Sequence, residues 1–599
     1  MRRDVITKQS FYEEKIRHYT RLINAFKQQL VLSAIYRVSA FVALALSVYF
    51  LVQHFHFLLI AAAVLSLLLF IFLVKHAVRL NEQKTLYENL LFVNENELGV
   101  INNTPNKMDD GKAFNNGEGY AADLDIFGPG SLFHLLNRNS TSHGRSHLAN
   151  LLISPPHHID DIKERQQAVK AFAPQVDMRQ LVTAYGLMRK EEEGNLNNIE
   201  AWLNEGELLY KRKWLQVLRW ILPVYNTFFL LLYIANGQVL YLLAGVGLGW
   251  LITGRNAKYI HKQHELIGKK QAVLDQYADI LCTFSNAGSG NAALLQRLQK
   301  SAGQAHKTIK ALAKLSSMFD QRLNLLVNVL LNSIVLYDLQ CILELEKWKA
   351  KNKADFNEWL HTVGEIESLN AFAGFAFNNE NFVYPLLLAG DDLSIETKQV
   401  AHPLIPANER IANDFEAGNP DKLLLVTGSN MSGKTTFLRT LGVNLILAQC
   451  GAPVCAASFS FSPMQLLTSI RISDSLQEHT SYFMAELKKL QQIIHELQTG
   501  KPYLVLIDEI LRGTNSEDKT HGSEQFILQL IQYNCITLFA THDLMLASLE
   551  NEHKGIINNW CFESIIENGE LHFDYKLRKG VARNRNASFL MKKMGITGK

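Results

Sequence analysis

The residues best suited to chemistry lie in the last third of this 599-residue chain. Gly428-x-x-x-x-Gly433-Lys434-Thr435 follows the apolar run Leu423 to Thr427 and precedes "TFLRTLGVNLILA". Strand, glycine loop and helix in that order form a phosphate cradle, because the glycines let backbone N–H groups wrap an anion at a helix N-terminus. The expected nucleotide contacts are Gly428, Ser429, Asn430, Met431, Ser432, Gly433, Lys434, Thr435 and Thr436. Lys434 is expected to reach the β- and γ-phosphates of ATP, and Thr435 to ligate Mg2+. Two more apolar runs end in polar groups. "YLVLIDE", Tyr503 to Glu509, places Asp508 to hold Mg2+ through water and Glu509 to polarise an attacking water. "CITLFATHD", Cys535 to Asp543, ends at His542, which can contact the γ-phosphate. Lys434, Glu509 and His542 are therefore the expected catalytic set. Three strands ending in phosphate-facing groups imply an α/β ATPase with a largely parallel sheet.

The neighbouring residues carry a resemblance. "TGSNMSGKTTFLR" is similar to the T-G-x-N-M-x-G-K-[ST]-T-x-x-R loop of the MutS family of DNA mismatch-repair ATPases, within the ABC ATPase group. "AQCGAPVCA" (Ala448 to Ala456), "DEILRGTNSED" (Asp508 to Asp518), "ATHD" and the segment from Glu570 to Ile596 resemble further family motifs. "TSYFMAEL", Thr480 to Leu487, resembles the signature S-T-F-x-x-E, which implies that Ser481 touches the γ-phosphate bound by the opposite protomer of a homodimer. Upstream, Ser131 to Phe172 and Trp359 to Ala376 resemble the start and the last helix of the family's core, and "AHPL" at Ala401 its H-P turn. The resemblance is strongest from Glu396 onward. It implies ATP and Mg2+ as cofactors, and duplex or branched DNA as a partner. The sequence also departs from the family. His479 stands where the signature has glycine, and no mismatch-reading domain is expected ahead of the core. The C-terminal dimer helices look trimmed, and no nuclease domain follows. Phe11-Tyr12-Glu13 matches the family's F-x-E probe, but so does Phe356-Asn357-Glu358, and the segment around Phe11 reads as a plain amphipathic helix.

The elements that must carry this machinery include membrane candidates. Val38 to Phe55 and Phe57 to Val74 are apolar runs, each about 18 residues or roughly 27 Å as helix, enough to span. Trp220 to Ala235 and Val239 to Ile252 form a second pair around Asn236-Gly237-Gln238, with Gly245 and Gly249 making a G-x-x-x-G face. Lys and Arg flank both pairs and are absent from both turns, so both hairpins are expected to enter and leave on the cytoplasmic side. Leu323 to Leu339 is a third apolar run. Its stripe of Asn324, Asn328, Asn332 and Asp338 predicts a buried soluble helix instead of a span.

The expected fold is therefore α plus α/β: a helical MutS-like core and lever with two inserted transmembrane hairpins, then a C-terminal ABC-type P-loop ATPase domain. Expected divisions are 1–36 cytoplasmic amphipathic segment, 37–75 hairpin, 76–122 linker, 123–213 first part of the core, 214–254 second hairpin, 255–395 core and lever, and 396–599 ATPase. The expected localisation is an integral membrane protein with four spans, a cytoplasmic ATPase domain and lipid contacts. Charged residues at 20% and hydrophobic ones at 48% exclude a disordered chain, and a net charge of +3 makes no general case for nucleic acid. The six cysteines lack metal spacing and read as reduced thiols, most of them core filling. Two other functions compete: a membrane signalling or scaffold ATPase acting on a protein partner, and a transporter-type ABC protein. The second lacks the L-S-G-G-Q signature and offers little translocation path.

Overall fold

The computed structural model describes every residue except 1, 118, 192–193, 238, 289, 391, 472–481, 512–514, 568–569, 584–595 and 597–599. The chain opens with two long antiparallel helices, Arg2–Gln53 and Phe57–Ile101. Their 52 and 45 residues make rods of about 78 and 68 Å. They run this far because the first glycine is Gly99 and the first proline Pro105, so neither rod meets a helix breaker before Leu98, and the one reversal falls at His54-Phe55-His56. The amphipathic segment and the first apolar run are thus one rod, and the return rod continues through Val74 without a linker. Exposed apolar side chains begin at Val31 and end at Val78, a band wider than the two apolar runs suggest. Below it, Tyr19 and Phe26 pack on Tyr87, and Phe11 and Tyr12 pack on Phe377. Phe11 has a packing role there.

Among the described residues three helices are long and apolar enough to cross a membrane: these two and Lys213–Asn236. The last ends at Gly237, whose φ of 70° is the left-handed cap that lets the chain reverse into Leu240–Arg255. Leu240–Arg255 is a shorter apolar helix of 16 residues. The Leu323 to Leu339 run does not form one buried helix. It divides into Leu325–Val335 and the start of Tyr337–Asn378, bent by 77° at Leu336, whose φ is 52°. Asn332, Leu336, Asp338 and Leu339 are buried, but Leu325 and Leu330 face outward. The polar stripe found partners, and the apolar side opposite it found none in the soluble core.

The helical core gathers Ser142–Ile153, Ile159–Phe172, Val176–Gly186, Gln271–Ser285 and Ala293–Asp320 around Tyr337–Asn378. That helix of 42 residues is about 63 Å long. Gly144 lets it come close: a Cβ there would lie 1.9 Å from Glu367 Oε2. It hands over to ten strands: β1 Leu386–Leu387, β2 Ser394–Val400, β3 Asn413–Gly418, β4 Leu423–Gly428, β5 Ser458–Phe461, β6 Gln465–Ser469, β7 Tyr503–Asp508, β8 Cys535–Thr541, β9 Ile557–Glu567 and β10 Glu570–Lys579. The larger sheet has the order β10-β9-β4-β8-β7-β6. All its neighbours are parallel except β10 on β9, as the sequence predicts. β4, β7 and β8 are buried on both faces, which is why they read as unbroken apolar runs. All six cysteines are free, and only Cys282 is not fully buried.

Candidate functional site

The parallel register sets the C-terminal ends of β4, β7 and β8 side by side, with Val426 and Asp508 both paired to Ala540. Gly428, Asp508 and His542 therefore meet along one edge of the sheet. A cavity of about 410 Å3 opens there, lined by residues 429–437, Asp508, Glu509 and His542, and across from them His402, Ile411, Asn413, Phe562 and Tyr575. The structure thus brings together every expected site residue within the described range. Ser481 lies outside the described residues, as do His479, Arg512 and Gly513 of the neighbouring motifs.

The loop ends at Gly433, whose φ of 104° starts helix Lys434–Gln449. Glycine is required there twice over, since an added Cβ would also stand 3.0 Å from the Tyr575 ring. The first-turn N–H groups of that helix point into the cavity mouth and favour an anion. Lys434 Nζ donates to the carbonyls of Gly428 (2.9 Å) and Ser429 (3.0 Å). His542 Nδ1 lies 2.7 Å from the same Gly428 carbonyl, and a carbonyl only accepts, so Nδ1 carries the proton. Burial, and then the charge of Lys434, hold the imidazole below its ordinary pKa, so it is neutral at pH 7. Its Nε2 faces Glu509 Oε2 at 3.7 Å.

Thr435 Oγ1 donates to Asp508 Oδ2 at 2.5 Å, which puts a hydroxyl and a carboxylate oxygen side by side. Both are hard oxygen donors of the kind Mg2+ prefers. Among the described residues no group of three or more His, Cys, Asp or Glu could hold a metal. This pair therefore fits a cation completed by phosphate oxygens and water, the usual arrangement for Mg2+. Glu509 follows with φ 51°, a strained value for a non-glycine residue, and its N–H donates to Ala540 O at 2.9 Å. Its Oε1 receives Lys519 Nζ at 2.7 Å from the first turn of helix Ser516–Leu530.

Several contributors were not among the expected site residues, although Tyr575, His402 and Glu486 fall in stretches that carry the family resemblance. Lys519 sits ten residues beyond the acid it holds, in no apolar pattern. Tyr575 is carried over the loop by a bulge in β10 between Phe573 and Leu577. Asn413 on β3 clamps that bulge, donating to Tyr575 O (3.0 Å) and accepting from Leu577 N (2.8 Å). His402 of the Ala401–Leu404 turn lines the cavity, and burial next to Arg439 and Arg410 pushes it down to about 4. Glu486 is fully buried and accepts from Leu511 N at 2.7 Å, tying helix Tyr482–Leu497 to the end of β7. Asp123, far upstream, accepts from Arg471 N (2.9 Å) and Lys489 Nζ (2.7 Å). It thereby anchors both flanks of the segment that contains Ser481.

Comparison with known proteins agrees with this geometry. The sequence model of MutS domain V matches residues 424–594. The chain is 35% identical over 228 residues to the DNA mismatch repair protein MutS of Listeria welshimeri, covering 37% of this chain and 26% of that protein. It is 33% identical over 230 residues to MutS protein homolog 4 of Mus musculus, covering 38% and 22%. The human MutS protein homolog 4 is 32% identical over 234 residues, covering 38% and 24%. The C-terminal part is thus MutS-like, and the aligned stretch spans only 22–26% of the relatives it matches.

Proposed function

We propose that this chain is a membrane-anchored, MutS-like ATPase that binds ATP between two copies of itself and couples hydrolysis to DNA. The observation that carries this reading is the convergence of Lys434, Thr435, Asp508, Glu509 and His542 on one cavity at the ends of three parallel strands. In this reading Lys434 turns from the loop carbonyls to the β- and γ-phosphates, and the loop N–H groups neutralise developing charge. Thr435 and Asp508 would hold Mg2+, which would supply further charge neutralisation at the phosphates. Glu509, steadied by Lys519, accepts a proton from the attacking water. Neutral His542 orients that water or the γ-phosphate. Ser481 completes the site of the opposite copy.

The four apolar helices from residue 37 to 75 and from 214 to 254 make two membrane hairpins in this reading. The lysines and arginines beside each hairpin, missing from both turns, favour a cytoplasmic ATPase domain. Residues 123–213 and 255–395 form the MutS-like core and lever, and 396–599 the ATPase domain. DNA is favoured over a protein partner by helix Ala293–Asp320, where Arg297, Lys300, Lys307, Lys310 and Lys314 are exposed and no acidic residue precedes Asp320. Lys300, Lys307 and Lys314 repeat every seven residues and so share one face.

The deciding experiment is ATP hydrolysis by the detergent-purified protein with and without homoduplex, mismatched and branched DNA, at two salt concentrations. Salt-sensitive stimulation is expected, weakened when Lys300, Lys307 and Lys314 become glutamate. Hydrolysis indifferent to every DNA moves the assignment to a protein partner at the membrane.

A further inference from the structure

Helix Leu325–Val335 is unsuited to a soluble surface. Leu325 is 75% and Leu330 60% exposed, with Leu323 and Val329 open beside them. At 11 residues, about 16 Å, it covers roughly half the hydrocarbon thickness and cannot cross it. It packs on both Lys213–Asn236 and Leu240–Arg255, so its apolar face continues theirs.

Its inner side shows how the backbone is satisfied. The last carbonyls of a helix have no intrahelical donor. Here Asn226, fully buried on the neighbouring helix, donates Nδ2 to the carbonyls of Ser333 (3.0 Å) and Ile334 (3.3 Å). Trp250 Nε1 donates to Ser333 Oγ at 3.1 Å. Leu336 turns the chain, packed near Gly249, where an added Cβ would lie 3.7 Å from it. Asn332 Oδ1 accepts from Asp338 N at 2.9 Å and starts the next helix, and Arg322 pairs with Asp338 at 3.3 Å. Pro223 lacks the N–H that would bond Arg219 O, and Gln340 Nε2 fills that gap at 2.5 Å. In water these carbonyls could be solvated, and the exposed leucines would carry the cost. Internal donors for orphan backbone groups under an apolar outer face are what a hydrocarbon solvent requires.

We infer that Leu325–Val335 is a third lipid-facing element, partly inserted in the same bilayer as the second hairpin, with acyl chains covering its outer face. This rests on the reading of Lys213–Asn236 and Leu240–Arg255 as a membrane hairpin. It makes the long helix Tyr337–Asn378 begin at the bilayer. Its first turns are tied to the hairpin through Gln340 and through the Arg219–Glu344 pair at 2.7 Å. The helix then runs without a break to the ATPase strands.

The test places one nitroxide label on the full-length protein, in a Cys282→Ser background, reconstituted in phosphatidylcholine–phosphatidylglycerol liposomes. The sites are Leu330→Cys, Leu231→Cys on the hairpin and Lys300→Cys as the aqueous reference. Electron paramagnetic resonance then compares collisions with oxygen, which enters lipid, and with a neutral nickel chelate, which stays in water. The expected oxygen-to-nickel ratio at Leu330 equals that at Leu231 and is several-fold above that at Lys300. A lipid-like Leu231 with a water-like Leu330 overturns the inference and leaves the hairpin standing. Access of neither collider at Leu330 also overturns it, since protein would then cover the face. A water-like Leu231 removes the hairpin, and the inference with it.

Discussion

Lys434 and His542 both reach the carbonyl of Gly428, so the loop, the helix start and the end of β8 share one atom. Replacing Lys434 by Ala removes the positive side-chain charge of the phosphate loop, and ATP binding and turnover should both be lost. Glu509→Gln keeps the side-chain shape but cannot take a proton. Its kcat should fall by about 10²–10⁴ with nucleotide binding kept. Normal hydrolysis in either variant, in a purified-protein assay, contradicts the site assignment. The pH profile tests His542. Burial and Lys434 disfavour its charged form, so its pKa lies below 6.5 and the neutral ring persists as pH falls past that value. The acid limb of kcat should therefore lie below 6.5. A limb at or above 6.5 that vanishes in His542→Asn would show a charged ring instead. The residues readable in advance are those at the ends of apolar strands, where a period-free run followed by Gly, Asp or His announces a sheet edge. Lys519 and Asn413 were not, because a helix turn and a small second sheet deliver them, and neither leaves a spacing in the sequence. Tyr575 lies in a stretch that carries the family resemblance, but only the bulge that seats it over the loop gives it a place in the site.

At the scale of elements, the return rod, the core and the end of the long helix are locked by one buried cluster. Glu97 accepts from Arg138 Nε (2.6 Å) and Nη2 (2.9 Å), and from Asn378 Nδ2 at 2.6 Å. Burial is the largest influence on Glu97 and would raise its pKa, but Arg138, Asn378 and Arg179 together outweigh it and hold the carboxyl below its usual range. Tyr12 of the first rod donates to Asn378 Oδ1 at 2.8 Å. Arg138→Ala leaves Glu97 buried and uncompensated and should cost about 3–5 kcal/mol. Tyr12→Phe loses one hydrogen bond and should cost about 1 kcal/mol. Denaturant unfolding in detergent measures both, and equal small losses would mean that the cluster is not buried in solution. The apolar runs were visible in the sequence, but the rods were not, because polar residues at 1–30 and after Lys75 look like boundaries when composition is scanned. Helix continuity depends on the absence of glycine and proline, which holds from the start to Leu98. Likewise the asparagine stripe of Leu323 to Leu339 was visible, but Asn226, which caps the carbonyls of Ser333 and Ile334 beside it, is about a hundred residues away in sequence.

For the whole molecule, the proposed dimer needs a surface on which one copy meets another. Met431 stands on the phosphate loop with φ 67° and 82% exposure, an apolar side chain in a strained conformation at the rim of the cavity. The proposed role of Ser481 places a second copy at that rim. Asp123 and Glu486 hold the elements on either side of Ser481 to the core and to β7, so closing a dimer would move the core together with the signature segment. Glu509→Gln with ATP and Mg2+ should therefore accumulate as a dimer by light scattering in detergent, whereas ADP should leave monomers. Met431→Glu should prevent that dimer and abolish turnover, yet bind ATP within a few-fold of the parent, because in this reading position 431 would meet phosphate through its backbone N–H and not through its exposed side chain. Weak ATP binding in Met431→Glu would instead assign the residue to the nucleotide. A Glu509→Gln protein that stays monomeric at saturating ATP would place a complete site within one copy and remove the reason for Ser481 to act across an interface.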